Sequence, residues 1–314
     1  QMSSFLVAVN AVVPFLIYIS FGYGVRRSGL ADEAFLGRLN QLVFKAFFPI
    51  LMFNNLYKIE TGFTLNPKLV VFAVAGILIL QAVLLLTVPR LVRENPRRGV
   101  IIQAIYRSNF VLFGIPLTAS IYGAGGTTLA SMMIAIVIPI YNVTAVFILE
   151  LFRGGKPRPA VLLKNVCTNP LILGAAAGFA AFILGLRLPT CVEKPVGQFA
   201  DLTTPLALFV LGGTMHFSSI RGNARYLVPA LAVKLVLLPA VIFALALALG
   251  FDSLERFVLF TMFATPIAAS SYSMAENMGG DGELAGEFVV LSTAVSVITI
   301  FLWVFVLREM GLVG

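Results

Sequence analysis

Apolar residues fill long stretches of this chain, and polar residues gather in short segments between them. A helix that crosses a bilayer needs about 20 mainly apolar residues. The pattern predicts ten such helices, near residues 5–25, 37–56, 68–92, 100–122, 127–152, 165–186, 196–216, 226–250, 254–277 and 283–308. The apolar runs are continuous, whereas the strands of a membrane barrel alternate over about ten residues. The pattern therefore predicts an all-α integral membrane protein.

Two apolar stretches in different halves of the chain carry nearly the same residues. Residues 116–122 read PLTASIY, and residues 266–272 read PIAASSY. A proline removes one backbone donor and frees the carbonyl one turn earlier, so each stretch predicts a broken helix. Irregular backbone at membrane depth is tolerated only where it is buried or lines a cavity. Paired interruptions in two hydrophobic halves are typical of the substrate site of a secondary transporter.

The repetition extends beyond these prolines. Residues 49–53 and 205–209 share a proline and a phenylalanine at their ends, and a pair of glycines precedes both the fifth and the tenth predicted span. The sequence thus predicts two five-helix repeats, residues 1–153 and 154–314. Because five is odd, the second repeat begins on the opposite side of the membrane and the repeats are inverted.

Composition excludes a soluble domain and sets an orientation. Hydrophobic residues make up 59% of the chain and charged residues 11%, and the mean hydropathy is +0.98. Loops after the odd-numbered spans hold the basic residues Arg26, Arg27, Arg38, Arg90, Arg93, Arg97, Arg98, Arg153, Lys156, Arg158, Lys164, Arg221 and Arg225. Loops after the even-numbered spans hold only Lys58, Lys68, Arg187, Lys194 and Arg256.

Basic residues collect on the cytoplasmic side of a membrane protein. This bias predicts a multi-pass protein of the cell (plasma) membrane with both termini outside the cytoplasm. It also accounts for most of the net charge of +8, so anionic lipid headgroups are expected as neighbours and nucleic acid is not a predicted partner.

The sequence contains few of the residues that an enzyme's active site requires. His216 is the only histidine, Cys167 and Cys191 fall at opposite ends of the sixth span, and no residues have metal-ligand spacing. An enzyme needs a positioned acid, base, nucleophile or metal. We therefore predict no cofactor and no metal, and we favour a transporter over a membrane-embedded enzyme or receptor. A channel is also less favoured, since no filter motif is present.

Candidate substrate-binding residues cluster around the two prolines and in the fifth span. They are polar, small or helix-breaking residues: Asn109, Gly114, Pro116, Ser120, Asn142, Pro266 and Ser270. An asparagine amide donates to a carboxylate or accepts from a cation, and glycine permits close backbone approach. The N-terminal ends of half-helices present unpaired amides to an anion. Ser, Thr and Asn in a span also tie helices together, and that alternative stays open.

Three basic residues fall inside predicted spans. Lys45 and Arg107 are candidate charge partners for the substrate, and Lys234 has a weaker claim. Ionisable groups inside a bilayer are costly and mark functional sites by default. Snorkelling of Lys45 and Arg107 to the cytoplasmic interface is the alternative. No mid-span carboxylate marks a cation or proton relay, Asp201 being the nearest, so the coupling ion stays open.

The segments 39–49, 109–116, 168–170 and 266–281 resemble the auxin efflux carrier family, which includes the plant PIN proteins and bacterial members linked to malonate or malate. The resemblance covers essentially the whole chain. It implies ten helices in two inverted five-helix repeats, with spans 4 and 9 crossing at their prolines. A scaffold domain and a transport domain, each built from parts of both repeats, a homodimer and an elevator-like movement are also implied.

By this likeness, the crossover positions are Asn109, Pro116 and Pro266. The plant proteins support the site with an acidic and a basic residue in span 3, where this chain has only Gln81. The expected function is secondary transport of small organic anions, monocarboxylates or dicarboxylates, by an elevator-type mechanism. A sodium-coupled organic anion symporter, similar to the bile acid sodium symporters that share the fold, is the alternative.

Overall fold

The computed structural model describes residues 2–58, 65–154, 159–215 and 219–313. Within those ranges the secondary structure is helical and no β-strand occurs. His216, Lys156 and Arg158 lie outside the described residues.

Fourteen helices follow one another along the described chain. In order, they are α1 (Met2–Arg27), α2 (Glu33–Leu42), α3 (Phe48–Tyr57), α4 (Pro67–Leu91), α5 (Asn95–Tyr106), α6 (Ile115–Leu151), α7 (Pro159–Cys167), α8 (Pro170–Ile183), α9 (Thr190–Thr214), α10 (Ile220–Ala232), α11 (Leu238–Ala248), α12 (Ser253–Ala264), α13 (Ser270–Asn277) and α14 (Gly282–Glu309). Helix α6 contains a sharp kink at Gly123, which has φ 60° and ψ −139°. Glycine permits this positive φ at no steric cost.

Five helical segments in the described residues are long and apolar enough to cross a membrane. They are Pro67–Leu91, Asn95–Leu151, Thr190–Thr214, Ile220–Ala248 and Gly282–Glu309. Helices α7 and α8, bent by 57° at their junction, form a sixth if they count as one span. The fold is thus that of an all-helical, multi-pass membrane protein. The ten-span inverted repeat stays a prediction, in part because predicted spans 2 and 9 are divided into short helices.

Three five-residue π-helical segments interrupt the helices, and each ends two residues before a proline. They are Val43–Phe47 before Pro49, Phe110–Gly114 before Pro116, and Val233–Leu237 before Pro239. Proline donates no hydrogen bond and its ring clashes with the carbonyl four residues earlier. The turn before each proline accordingly widens, and π-helical turns of this kind are frequent at functional sites.

Glycines let two pairs of helices pack backbone to backbone. Helix α1 packs along α9, and a Cβ added at Gly22 would overlap the carbonyl oxygen of Phe209. Helix α3 packs along α8, where a Cβ at Gly178 would lie 2.6 Å from the carbonyl oxygen of Phe53. Small residues at such crossings are the usual means of association between helices in a membrane.

We expect Gly22→Ala to destabilise the protein by about 1–3 kcal/mol, because the added methyl group forces α1 away from α9. Gly24→Ala is the matched control on the same helix, since nothing lies within 4 Å of a Cβ there. Thermal unfolding of the purified proteins in detergent would measure the difference. Equal unfolding temperatures for the two variants would contradict the close packing.

Candidate functional site

The first break in the helices separates α5 from α6. Helix α5 ends at Tyr106, Arg107 is extended with φ −84° and ψ 135°, and Asn109 has φ −85° and ψ 57°. Helical structure resumes at Phe110. The first amides of a helix have no acceptor within it, so the start of this segment presents donors towards the break.

The second break separates α12 from α13. Thr265 is extended with φ −72° and ψ 153°, and helical structure resumes at Ser270. Pro266 lies inside the break and, as a proline, supplies no donor there. The amide of Ile267 instead donates to the side-chain oxygen of Ser292 on α14, at 3.1 Å.

A backbone hydrogen bond joins the two breaks. The amide of Asn109 donates to the carbonyl oxygen of Pro266 at 2.7 Å. This contact brings together the predicted crossover residues of both halves. It also satisfies two backbone groups that would otherwise be buried without partners.

Arg107 lies at the centre of this junction and is 3% exposed. Its guanidinium donates to Asn142 Oδ1 at 2.5 Å, to Ser270 Oγ at 2.8 Å and to the sulfur of Met274 at 2.8 Å. Among the described residues, none of the Asp or Glu side chains forms a salt bridge with it. The side chain does not snorkel, and its charge is buried without a counter-ion from the part of the chain that the structure describes.

A cavity of about 680 Å³ opens beside the junction. It is lined by residues of α1, α3, α6 and α9 and by both breaks, among them Asn10, Tyr18, Met52, Asn55, Arg107, Ser108, Asn109, Phe110, Val111, Leu112, Pro116, Asn142, Asp201, Ala268, Ala269 and Ser270. Arg107 and Asp201 are the charged members of this lining. Because the first residues of two helices border it, the cavity combines a guanidinium with two helix N-termini, which attract anions.

Five of the predicted site residues line this cavity: Arg107, Asn109, Pro116, Asn142 and Ser270. The others do not. Gly114 is buried, where its missing Cβ makes room for the ring of Phe110. The hydroxyl of Ser120 donates to the carbonyl of Leu117 in its own helix. Pro266 acts through its carbonyl, as described above.

The two matched prolines do not occupy equivalent places. The sequence predicts a break at each, and Pro266 does lie in one. Pro116 instead lies in the first turn of α6, and the break precedes it at residues 107–109. Helical structure is continuous from Phe110 through Pro116, and the π-helical segment Phe110–Gly114 accommodates the amide that the proline lacks.

Lys45 lies apart from Arg107, in a second cavity of about 830 Å³. This cavity is lined by Glu33, Gly37, Asn40, Gln41, Phe44, Lys45, Thr214, Tyr272, Glu276, Asn277, Gly282 and Glu283. Within the second predicted span, residues up to Lys45 line this second cavity, whereas residues from Phe48 onwards line the first. The two cavities therefore lie towards opposite ends of that span.

Hydrogen bonds join α13 to two other helices beside the second cavity. Ser273 donates to Asn40 Oδ1 at 2.7 Å, and the hydroxyls of Thr214 and Tyr272 are 2.6 Å apart. Both pairs join α13 to an element outside the second break. Helix α13 borders the first cavity with Ser270 and the second with Tyr272.

Sequence reasoning missed several polar groups at the junction. Lys234, given little weight above, is fully buried and donates to the hydroxyl of Ser108. Around the second break, three buried side-chain oxygens have no hydrogen-bond partner, those of Gln103, Thr265 and Ser271. A serine or threonine in an apolar span is too common to reveal such a role, but a lysine inside a span is a usable signal.

We expect Asn142→Asp to abolish the affinity of the cavity for anions, because a carboxylate in place of the amide would pair with Arg107 internally. Isothermal titration with small carboxylates would measure the loss. Asn142→Leu is the control, since it removes the hydrogen bond without adding charge, and it should weaken binding less than the aspartate does. Equal affinities for Asn142→Asp and the unmodified protein would contradict a role for the free guanidinium.

Comparison with known proteins identifies a family. The family model described as "Membrane transport protein" matches residues 7–159 and 158–304, nearly the whole chain. A protein of Rhizobium meliloti (strain 1021), provisionally named as a malonate transporter, is 28% identical over 165 residues, which are 50% of this chain and 50% of that protein. The chain therefore aligns with about half the length of this relative.

Two archaeal proteins align over a longer range. Uncharacterised transporters of Methanothermobacter thermautotrophicus and Methanocaldococcus jannaschii are 23% and 21% identical to the chain, respectively. In both cases the alignment covers 313 residues, 96% of this chain and 99% of the relative. All three relatives carry the name of a transporter, and none that of an enzyme.

Proposed function

Since this chain belongs to the membrane transport protein family, that of the auxin efflux carriers, we propose that it is a secondary transporter of small organic anions, monocarboxylates or dicarboxylates. The observation that carries the proposal is the buried guanidinium of Arg107, which borders a cavity and has no acidic partner among the described residues. A buried charge without a partner is costly. A substrate carboxylate would supply the missing counter-ion.

The neighbours of Arg107 fit this role. Asn142 and Ser270 hold the guanidinium on one side, and the fixed fork of an arginine favours bidentate pairing with a planar carboxylate. The side-chain amide of Asn109 and the helix starts at Phe110 and Ser270 add donors along the same wall. The name of the Rhizobium relative adds malonate, a small dicarboxylate, as a candidate.

The two cavities support alternating access. They contact the second predicted span towards its opposite ends and share α13 as a wall. Movement of the crossover relative to the remaining helices would close one cavity and extend the other. Inverted repeats, with broken helices at the midplane, are the known structural basis of such exchange.

Helix packing supports an elevator-type division. Helices α1, α3, α8 and α9 pack on one another through glycine contacts and would form a scaffold. Helices α4–α6 and α10–α14 surround the two breaks and would form the transport domain. The ten-span layout with both termini outside the cytoplasm, the repeats at 1–153 and 154–314, and a homodimer complete the proposal as predictions from the sequence.

Sodium coupling is the second candidate, and the unpaired oxygens of Gln103, Thr265 and Ser271 favour it. Hard cations take oxygen ligands, and sodium in secondary transporters binds where helices unwind. The positive charge of Arg107 acts against a cation nearby. Anion transport without sodium is therefore the preferred form of the proposal.

We expect small carboxylates to raise the unfolding temperature of the purified protein and to lose this effect in Arg107→Gln. A ligand that binds only the native state at 100 times its Kd stabilises it by about 2.7 kcal/mol. Differential scanning fluorimetry across a panel of carboxylates, with and without sodium, would measure the shift. A sodium requirement would favour the second candidate.

Arg256→Gln is the matched control for that experiment. Arg256 donates to the carbonyls of Phe251 and Leu312, away from the first cavity. Its loss should lower the unfolding temperature without changing the carboxylate-dependent shift. A shift that survives in Arg107→Gln would exclude the guanidinium as the anion site, and no shift with any carboxylate in the unmodified protein would contradict anion transport itself.

A cysteine-labelling experiment tests the two-sided arrangement. In a background with Cys167→Ser and Cys191→Ser, a membrane-impermeant maleimide added to intact cells should modify Asn55→Cys, because Asn55 borders the first cavity. Gln41→Cys, in the second cavity, should react only after the cells are opened. The reverse pattern would contradict the predicted orientation. Labelling of both cysteines from outside would contradict a barrier between the two cavities.

A further inference from the structure

Lys234 is a buried cation outside the lining of the first cavity. It is 0% exposed, and its ammonium group donates to the hydroxyl of Ser108 in the first break. Among the described residues, no Asp or Glu forms a salt bridge with it. Ser108 does line the cavity and is adjacent to Arg107 in the chain. One serine therefore stands between this ammonium group and the cavity.

The backbone that carries Lys234 is fixed. Residues 233–237 form a π-helical segment, and Pro239 has no amide to give to the carbonyl of Leu235 four residues earlier. The indole nitrogen of Trp303 donates to that carbonyl at 3.0 Å instead. The segment is thus anchored to α14, which leaves the lysine side chain directed at the break.

Two basic side chains consequently lie buried at one junction, those of Arg107 and Lys234, and neither has an acidic partner within the described residues. Asp201 is the acidic residue in the cavity lining, but it is exposed. Exposed charges are screened by solvent, whereas buried charges act at longer range. The junction keeps an excess of positive charge that an anion in the cavity would compensate.

We propose that Lys234 is the residue that makes the cavity prefer dianionic carboxylates. It holds the hydroxyl of Ser108 at the break, and it adds a second positive charge behind the wall on which Arg107 binds the first carboxylate. This inference rests on the proposed function and specifies its substrate class.

The charge of the ligand distinguishes this role from a purely structural one. The interaction with a fixed charge is proportional to the charge of the ligand. Loss of the ammonium group should therefore weaken binding of a dianion by the square of the factor that applies to a monoanion. A general disturbance of the cavity would weaken both by the same factor.

The test compares malonate with its monoamide, malonamate, at neutral pH, where they carry two charges and one. Isothermal titration of the purified protein would give the Kd of each. In Lys234→Met we expect binding to weaken about tenfold for malonamate and about a hundredfold for malonate. Lys234→Gln keeps a hydrogen-bond donor for Ser108 without the charge, and it should lose the preference for malonate as well.

Lys164→Met is the matched control, a change of the same kind at an exposed position of α7. It should leave the Kd of malonate and the Kd of malonamate unaltered. Replacing a buried charge by an apolar side chain of similar volume is often neutral or stabilising, so the Lys234 variants are expected to fold. Unchanged malonate binding, an equal loss for both ligands, or a preference restored in Lys234→Gln would overturn the inference while the proposed function stands. If the unmodified protein binds neither ligand, the inference about Lys234 is overturned, whereas the carboxylate panel described above decides the proposed function.

Discussion

The hydrogen bond from the amide of Asn109 to the carbonyl of Pro266 is the contact on which the rest of the site depends. It joins two interrupted helices that come from distant parts of the chain. Each interruption exposes backbone groups that the interior of a membrane protein cannot leave unpaired. This bond pairs one such group from each break, so each break contributes to the stability of the other. The position of Arg107 follows, since its guanidinium spans from α6 to α13 beside this bond.

Prolines mark the places where regular α-helical hydrogen bonding is interrupted. Residues Pro49, Pro116 and Pro239 each follow a π-helical segment, and two of these segments border the breaks or carry a buried cation. A π-helical turn leaves carbonyls without their usual donors, and the indole of Trp303 shows how the fold compensates one of them. One of the widened turns carries the buried side chain of Lys234. Packing between the surrounding apolar helices offsets the free energy that is lost with these backbone hydrogen bonds.

The helical class and the involvement of both repeated segments could be predicted from the sequence, because continuous apolar runs and proline in a span have direct structural consequences. The location of the first break could not. Pro116 matches Pro266 in sequence, yet a π-helical segment, Phe110–Gly114, accommodates Pro116 within continuous helical structure, so this proline follows the gap and does not lie in it. The burial of Lys234 could not be predicted from the sequence either. Whether a lysine within a span snorkels or points inwards depends on its neighbours in three dimensions, which one sequence does not define.

Charge compensation links the site to its proposed movement. Arg107 and Lys234 are buried without acidic partners in the described residues. Carrying such charge across a region of low dielectric is costly, and an anion bound beside it reduces that cost. Under the proposed function, a loaded crossover would therefore move more easily than an empty one. The same two cations that select the substrate would then couple its presence to the conformational change, which is the requirement that distinguishes a carrier from an open pore.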